Sequence, residues 1–422
     1  MVVSQSTVFS FDKDRKKPTT TIEKPDSTKF VPWGDDNLFP QTQAEECRKS
    51  TLIFPTLDKI ARMIYSGGLV WGYLDYDDQG NEIFFPKMKE NWDIMVALRK
   101  TAFQRFIMEM ALDFVHYRNA FPELITDLGK TQIVQLKVQR ARECRWGWQN
   151  TTTGLVDQCF INANWGDGGT AENSAVLPVI DPYYDPVGGI QATKGYNFIY
   201  PVTYPDVDNK FYHLVDWHGL RSGKWLKFSL QIPEFKEALM RNQSTIKYHL
   251  EVSNDYWNWR HKGFDKLTEP EQQILRDAFV DEYNTIIRGN ENAGKTLMSI
   301  TFQENGKEIP GLRITAIDDK MKAGIYIEDS QEASTHILTS LGVDPTLMGN
   351  GPGKNFGAGS GSDKGVAYNI YMSQIRPFQD LLLEPFGVMR DYNGWDEKLV
   401  FRFRNSLMQT ESNRQKTTQK AG

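Results

Sequence analysis

Apolar residues recur at helical spacing over Leu52 to Tyr65 and over Trp92 to Tyr117, where Phe103, Phe106, Ile107, Met110, Ala111 and Phe114 fall on one face. Both stretches predict buried helices. From Glu123 to Leu226 the pattern changes to short runs rich in Val, Ile, Tyr and Trp, broken by Asn, Asp, Gly and Pro, which predicts a mostly β region with long loops. A helix is expected after Pro233, because Phe235, Ala238, Leu239 and Ile246 line up and proline suits a first helical turn. Lys247 to Val252 reads as a strand. Thr268-Glu269-Pro270-Glu271 then fits a capping box, Ile274, Ala278, Phe279, Tyr283 and Ile286 continue the helical period, and Gly289 can end it. Thr296 to Phe302 and Leu312 to Ile317 alternate as strands, and Glu328 to Leu341 returns to helix through Ala333, Ile337 and Leu341. The glycine-dense run after Leu347 loses too much backbone entropy on ordering to form regular structure, so a flexible loop is expected through Gly365. Val366 to Phe386 predicts a long amphipathic helix through Val366, Ile370, Ile375, Phe378 and Leu382, kinked at Pro377, and Leu399 to Phe403 predicts one more strand. Met1 to Phe30 is polar and predicts a mobile arm. The fold class expected is α+β, with no internal repeats.

Composition narrows the function. The 422 residues are 40% hydrophobic and 24% charged, as in ordinary globular proteins, and no apolar run approaches the roughly 20 residues that span a bilayer. Charges in Met1 to Pro18 occupy the place where a secretory signal needs its apolar segment, so a cytoplasmic setting is expected. Cys47, Cys144 and Cys159 are too scattered for a disulfide framework or a CxxC zinc site and predict free thiols. A net charge of −5 lacks the basic excess of tight nucleic-acid binders, so any grip on DNA should be weak.

Gly289 to Thr296 matches the phosphate-cradling GxxxxGK[ST] string, with Lys295 in the lysine position. A working loop of that kind runs from a strand into a helix, whereas here the capped helix precedes the string and a strand pattern follows it. Gly349 to Gly365 contains neither GxGxxG nor GxSxG in register. The six histidines include no HExxH, and His213 and His218 lie five positions apart, on opposite faces of a strand, so no metal site is expected. The acidic doublets at Asp35, Asp77 and Asp318 read as turns rather than catalytic carboxylates. Tryptophans 71, 146, 148, 165, 217, 225, 257 and 259 read as core and subunit contacts rather than stacking platforms for bases, since they lie in strand-like apolar runs.

Several strings, in order, resemble the portal proteins of tailed bacteriophages. Gly289 to Phe302 is similar to that family's G-x-x-N-A-G-K segment and following strand. Asp329-Ser-Gln331, then Ile337 through Val343-Asp344-Pro345-x-Leu347-Met-Gly349, resembles its D-x-Q helix and fGVPPxLLG ending, and Ile375-Arg-Pro377-Phe-Gln resembles lxPxxxxiE. Asn119-Ala120-Phe121 resembles its GNAF segment. Two departures mark a divergent member: Arg118 stands where glycine is expected before Asn119, and Asp344 replaces the first proline.

The resemblance implies a portal fold: an arm at 1–30, an α/β wing at 31–228, a helical stem at 229–245 and 322–345, a small α/β clip at 246–321, a tunnel loop at 346–365, a long kinked helix at 366–386, and a short strand with polar tail at 387–422. It implies a non-enzymatic ring of about twelve copies at one capsid vertex, assembled in the host cytoplasm, through which double-stranded DNA is packaged and ejected. The large terminase subunit, major capsid and scaffolding proteins, and neck or adaptor proteins are the implied partners, with no membrane, metal or cofactor. Lys354, Asn355 and Lys364 would face DNA from the tunnel loop, in weak and non-specific contact, and Ile337, Leu341, Ile370 and Phe378 would pack stem and ring. The competing reading is a nucleotide-binding protein using Gly289 to Thr296.

Overall fold

The computed structural model describes residues 28–88, 91–100, 102–207, 211–242, 248–288, 300–304, 307–316, 325–349 and 361–405. The chain divides into two units, one made of residues up to Leu230 and from Ile327 onward, the other of Gln231–Tyr326.

The first unit begins with α1 (Phe39–Lys49), α2 (Ile53–Tyr65), β1 (Leu69–Tyr76), β2 (Glu82–Pro86), α3 (Trp92–Lys100) and α4 (Phe103–Tyr117). It continues through β3 (Asn119–Thr126), β4 (Ile133–Gln139), β5 (Cys144–Trp146), β6 (Gln158–Ile161), β7 (Ala175–Pro178), α5 (Pro186–Ala192), β8 (Asn197–Ile199), β9 (Val202–Thr203) and α6 (Gly219–Ser222). Helix α7 (Trp225–Asn242) carries the chain into β10 (Tyr248–Val252), α8 (Asn254–Arg260), α9 (Glu269–Arg288), β11 (Thr301–Glu304), β12 (Lys307–Pro310) and β13 (Leu312–Ala316). After α10 (Ile325–Ser340) come α11 (Pro345–Met348), α12 (Gly361–Gln374), α13 (Arg376–Tyr392) and β14 (Leu399–Phe403). The class is the expected α+β, built on small sheets of two to four strands.

Helix α4 is central to the first unit because its stripe of Phe106, Ile107, Met110, Ala111 and Phe114 is almost fully buried, and each large side chain so covered contributes roughly 1.5–3 kcal/mol. The helix expected over Trp92 to Tyr117 is two helices, α3 and α4, since Ala102 adopts a left-handed φ of 50° that no helix interior tolerates. Around α4 pack α2, α13 and the sheet β14-β1-β2, which joins Leu69 to Phe403 in antiparallel register. Gly72 is required in that sheet, because a Cβ there would lie 2.1 Å from the Phe85 carbonyl oxygen.

A second core in this unit gathers Val31, Trp33, Phe121, Cys144, Trp146 and Tyr212, with Trp33 stacked on Tyr212 at 4.3 Å. The predicted arm therefore ends sooner than Phe30: Phe30 forms a bridge with Gly147 and packs 4.6 Å from Trp165, while 1–27 lie outside the described residues. Fully buried Arg145 is held here by carbonyl and amide oxygens, its Nε donating to Asn37 Oδ1 (2.5 Å), Nη2 to the Asn37 carbonyl (2.7 Å) and Nη1 to the Cys144 and Arg142 carbonyls (2.7 and 3.1 Å). The three cysteines are buried free thiols, and burial pushes Cys47 up to about 12.

The second unit pairs β10 with β13 and β11 with β12 over a core of Tyr256, Trp257, Phe264, Phe279, Tyr283 and Leu312. The Glu271 arm of the capping box is present: its Oε2 accepts from the Thr268 N–H (2.9 Å) and also from the Thr268 hydroxyl (2.7 Å). On α9, however, Ile274 is 66% exposed, and the buried face runs through Phe279 and Tyr283 instead. Helix α7 also differs from expectation, since Pro233 lies inside it rather than in its first turn. The helix starts earlier because Leu226 docks into the first unit's core ahead of the proline.

Candidate functional site: the helices on either side of residues 350–360

Helix α10 presents Ile337 and Leu341 to the first unit's core, 1% and 9% exposed. Its C-terminus is a glycine-closed turn. Gly342 takes a left-handed φ of 66°, its N–H donates to the Thr339 carbonyl and that of Val343 to the Leu338 carbonyl, both at 3.0 Å. Asp344 then caps α11, its Oδ1 accepting from the Thr346 N–H (2.8 Å) and hydroxyl (2.6 Å). This explains the acid in place of a proline: the side chain satisfies an N–H at a helix start, which proline cannot do. The Lys59 ammonium donates to the Leu347 carbonyl, fastening α11 to α2.

Residues 350–360 lie outside the described residues, and α12 runs from Gly361. The loop expected over 346–365 is thus shorter than its sequence suggested, because Pro345–Met348 and Gly361–Gly365 are helical. Lys354 and Asn355 lie outside the described residues. Lys364 is exposed, but it sits in the first turn of α12 rather than in a loop.

The long helix expected from Val366 to Phe386 is interrupted at Ile375, where α12 ends and α13 begins. Pro377 occupies the first turn of α13, where its missing N–H has no helical acceptor to lose, so the break falls two residues before the proline. Phe378 is half-buried and meets Phe114 and Tyr204 edge-on at 5.5 and 5.1 Å, beneath the Arg118 guanidinium at 4.2 Å. Ile370 behaves differently from the other three expected packing residues: with Val366 one turn before it, it is more than half exposed (54% and 53%). Ile337, Leu341 and Phe378 share one core, which Ile370 does not enter.

The string Gly289 to Thr296 lies outside the described residues; the helix before it, α9, extends to Arg288. Among the described residues no cluster of His, Cys, Asp and Glu is arranged to hold a metal ion, and no helix is long and apolar enough to cross a membrane. The sequence reading did not single out Arg118 or Lys59 as functional. Arg118 carried one signal, its place where the resembling family has glycine, and its φ of 54° accounts for that preference.

No protein-family model matches the chain, nor does any curated protein. Its fold does match solved structures. A chain from the neck of an empty gene transfer agent (GTA) particle computed with C6 symmetry aligns at a TM-score of 0.59 and 14% identity, covering 92% of this chain and 89% of that one. A chain from the virion of the native particle aligns at 0.60 and 14%, covering 92% and 89%, and one from the neck of the native particle computed with C12 symmetry aligns at 0.60 and 14%, covering 93% and 90%. The chain shares the fold of these particle chains over about nine tenths of its length.

Proposed function

We propose that this chain is the portal subunit of a tailed bacteriophage or phage-like particle. The observation that carries the reading is the fold match to GTA particle chains over 92–93% of this chain, which agrees with the ordered portal-like strings in the sequence. About twelve copies close head to tail into a ring at one capsid vertex, and double-stranded DNA passes along its axis during packaging and ejection. Residues 31–228 are the wing, 229–245 and 322–345 the stem, and 246–321 the clip, to which terminase and then neck proteins dock. Lys354, Asn355 and Lys364, the last in the first turn of α12, contact the DNA weakly and without sequence preference. A conduit needs weak contacts, and an acidic chain with isolated lysines at the bore suits one in which DNA must slide. Exposed Val366 and Ile370 on α12 supply an apolar face for the neighbouring copy.

The test is negative-stain electron microscopy of the purified protein with native mass measurement. Closed rings with an axial hole and a mass of about twelve subunits are expected. A monodisperse monomer at micromolar concentration, with no rings, would refute the reading.

A further inference from the structure

The junction of α4 and β3 holds an arginine without enough partners. Arg118 is 6% exposed, and its Nη2 donates to Asp216 Oδ2 at 2.7 Å, but Nε and Nη1 are buried with no hydrogen-bond partner. The other deeply buried arginine, Arg145, bonds through all three of its nitrogens, so burial alone does not leave a guanidinium short of partners. Arg118 also keeps a left-handed backbone (φ 54°) that glycine would adopt without strain. Its cation is clamped over Phe378 (4.2 Å), with Phe114 at 5.5 Å and Tyr204 at 5.8 Å, which fixes the guanidinium plane.

Arg118 lines a cavity of 150 Å³ with Asp216, Trp217 and the Thr339–Gly342 turn of α10. The Trp217 indole N–H is buried and unpartnered too. The fully buried side-chain atoms left without a partner on these walls, Arg118 Nε and Nη1 and Trp217 Nε1, are all donors, so an occupant that pairs with them must bring oxygen lone pairs. On the α10 turn the Thr339 carbonyl already accepts from the Gly342 N–H at 3.0 Å. Because Asp216 takes a single N–H of Nη2, whichever edge it uses, the guanidinium keeps one free two-pronged edge, the geometry that matches a carboxylate. Water fills roughly 30 Å³ per molecule in the liquid, so the cavity has room for an anion of a few heavy atoms.

The geometry points to a binding site for a small carboxylate anion of formate or acetate size, held by the free edge of Arg118 with the Trp217 N–H as a further donor. The bound anion ties the end of α4 and the Asp216–Trp217 turn to the last turn of α10. This site stands apart from the ring reading and needs no second copy.

Thermal unfolding of the full chain tests it, with sodium formate replacing sodium chloride at constant ionic strength. A saturable rise of the midpoint with formate is expected. Trp217→Phe should weaken the apparent formate affinity about tenfold, the loss of one hydrogen bond, and Asp216→Asn, at a half-exposed position, should strengthen it by releasing the guanidinium. Arg118→Lys should abolish the saturable response; if that variant does not fold, the Trp217 and Asp216 variants decide alone. No difference between formate and chloride would mean that water alone occupies the cavity, and an equal response in the parent and both variants would mean that formate acts elsewhere. Either result overturns the proposal.

Discussion

Helices α12 and α13 read as one amphipathic stretch in the sequence, yet they meet different fates. On α13, Leu382, Phe386 and Met389 are 0–1% exposed, with Phe386 edge-on to Phe106 at 5.6 Å. On α12 only Gly365, Tyr371 and Met372 are buried, and the apolar pair Val366 and Ile370 faces outward. A helical period thus fixes which residues share a face but not what covers that face. For α13 the cover is this chain's own core; for α12 it is, on the proposed function, the next copy in the ring.

The contrast breaks most visibly on α13. Phe386→Ala is expected to cost about 3–5 kcal/mol of stability in urea unfolding, the usual loss for a fully buried phenylalanine; a loss below about 1 kcal/mol would show that α13 does not depend on the core as argued. A smaller effect comes from Glu384 on the same helix. Burial raises its pKa above the ordinary 4.5, opposed by the Tyr200 hydroxyl that donates to its Oε2 at 3.1 Å. The folded carboxyl therefore keeps its proton to higher pH than the unfolded one. As pH climbs above 4.5 the unfolded chain ionises first and stability falls until the folded pKa is passed. Glu384→Gln should flatten that decline, and an unchanged slope of stability against pH would remove Glu384 from the account. The smallest effect on the single chain is expected on α12: Ile370→Ser should leave monomer stability within about 0.5 kcal/mol while reducing the yield of rings in electron micrographs. Rings at parental yield would mean that this face is not covered by a neighbour.

Much of the framework was legible. β14 falls on the residues whose alternation announced it, and α2 and the Thr268–Glu271 box follow from local rules of period and capping. What failed depends on tertiary cover. The break at Ile375, the burial of Leu226 ahead of Pro233 and the outward turn of Ile274 each depend on which neighbour reaches the helix, and no local pattern encodes that. β1 and β2 were passed over: β1 pairs on one side with β14, more than 300 residues away in sequence, and β2, its partner on the other side, is mostly exposed. Of the candidate site, Ile337 and Leu341 were readable from their spacing. Lys364 was misplaced because a glycine-dense composition masked a helix start, and the unmet nitrogens of Arg118 have no signature in a string of letters beyond the missing glycine.

The pairing of β14 with β1 also sets a timetable. Leu69 to Tyr73 must wait for Leu399 to Phe403 to complete their sheet, so the edge of β1 stays unpaired during nearly all of the chain's synthesis. Closing so long a loop is entropically slow but adds little further cost for each extra residue. A nascent chain therefore lacks its finished core until its last described strand has been made. On the proposed function, a subunit that joins the ring only when folded therefore joins it after translation.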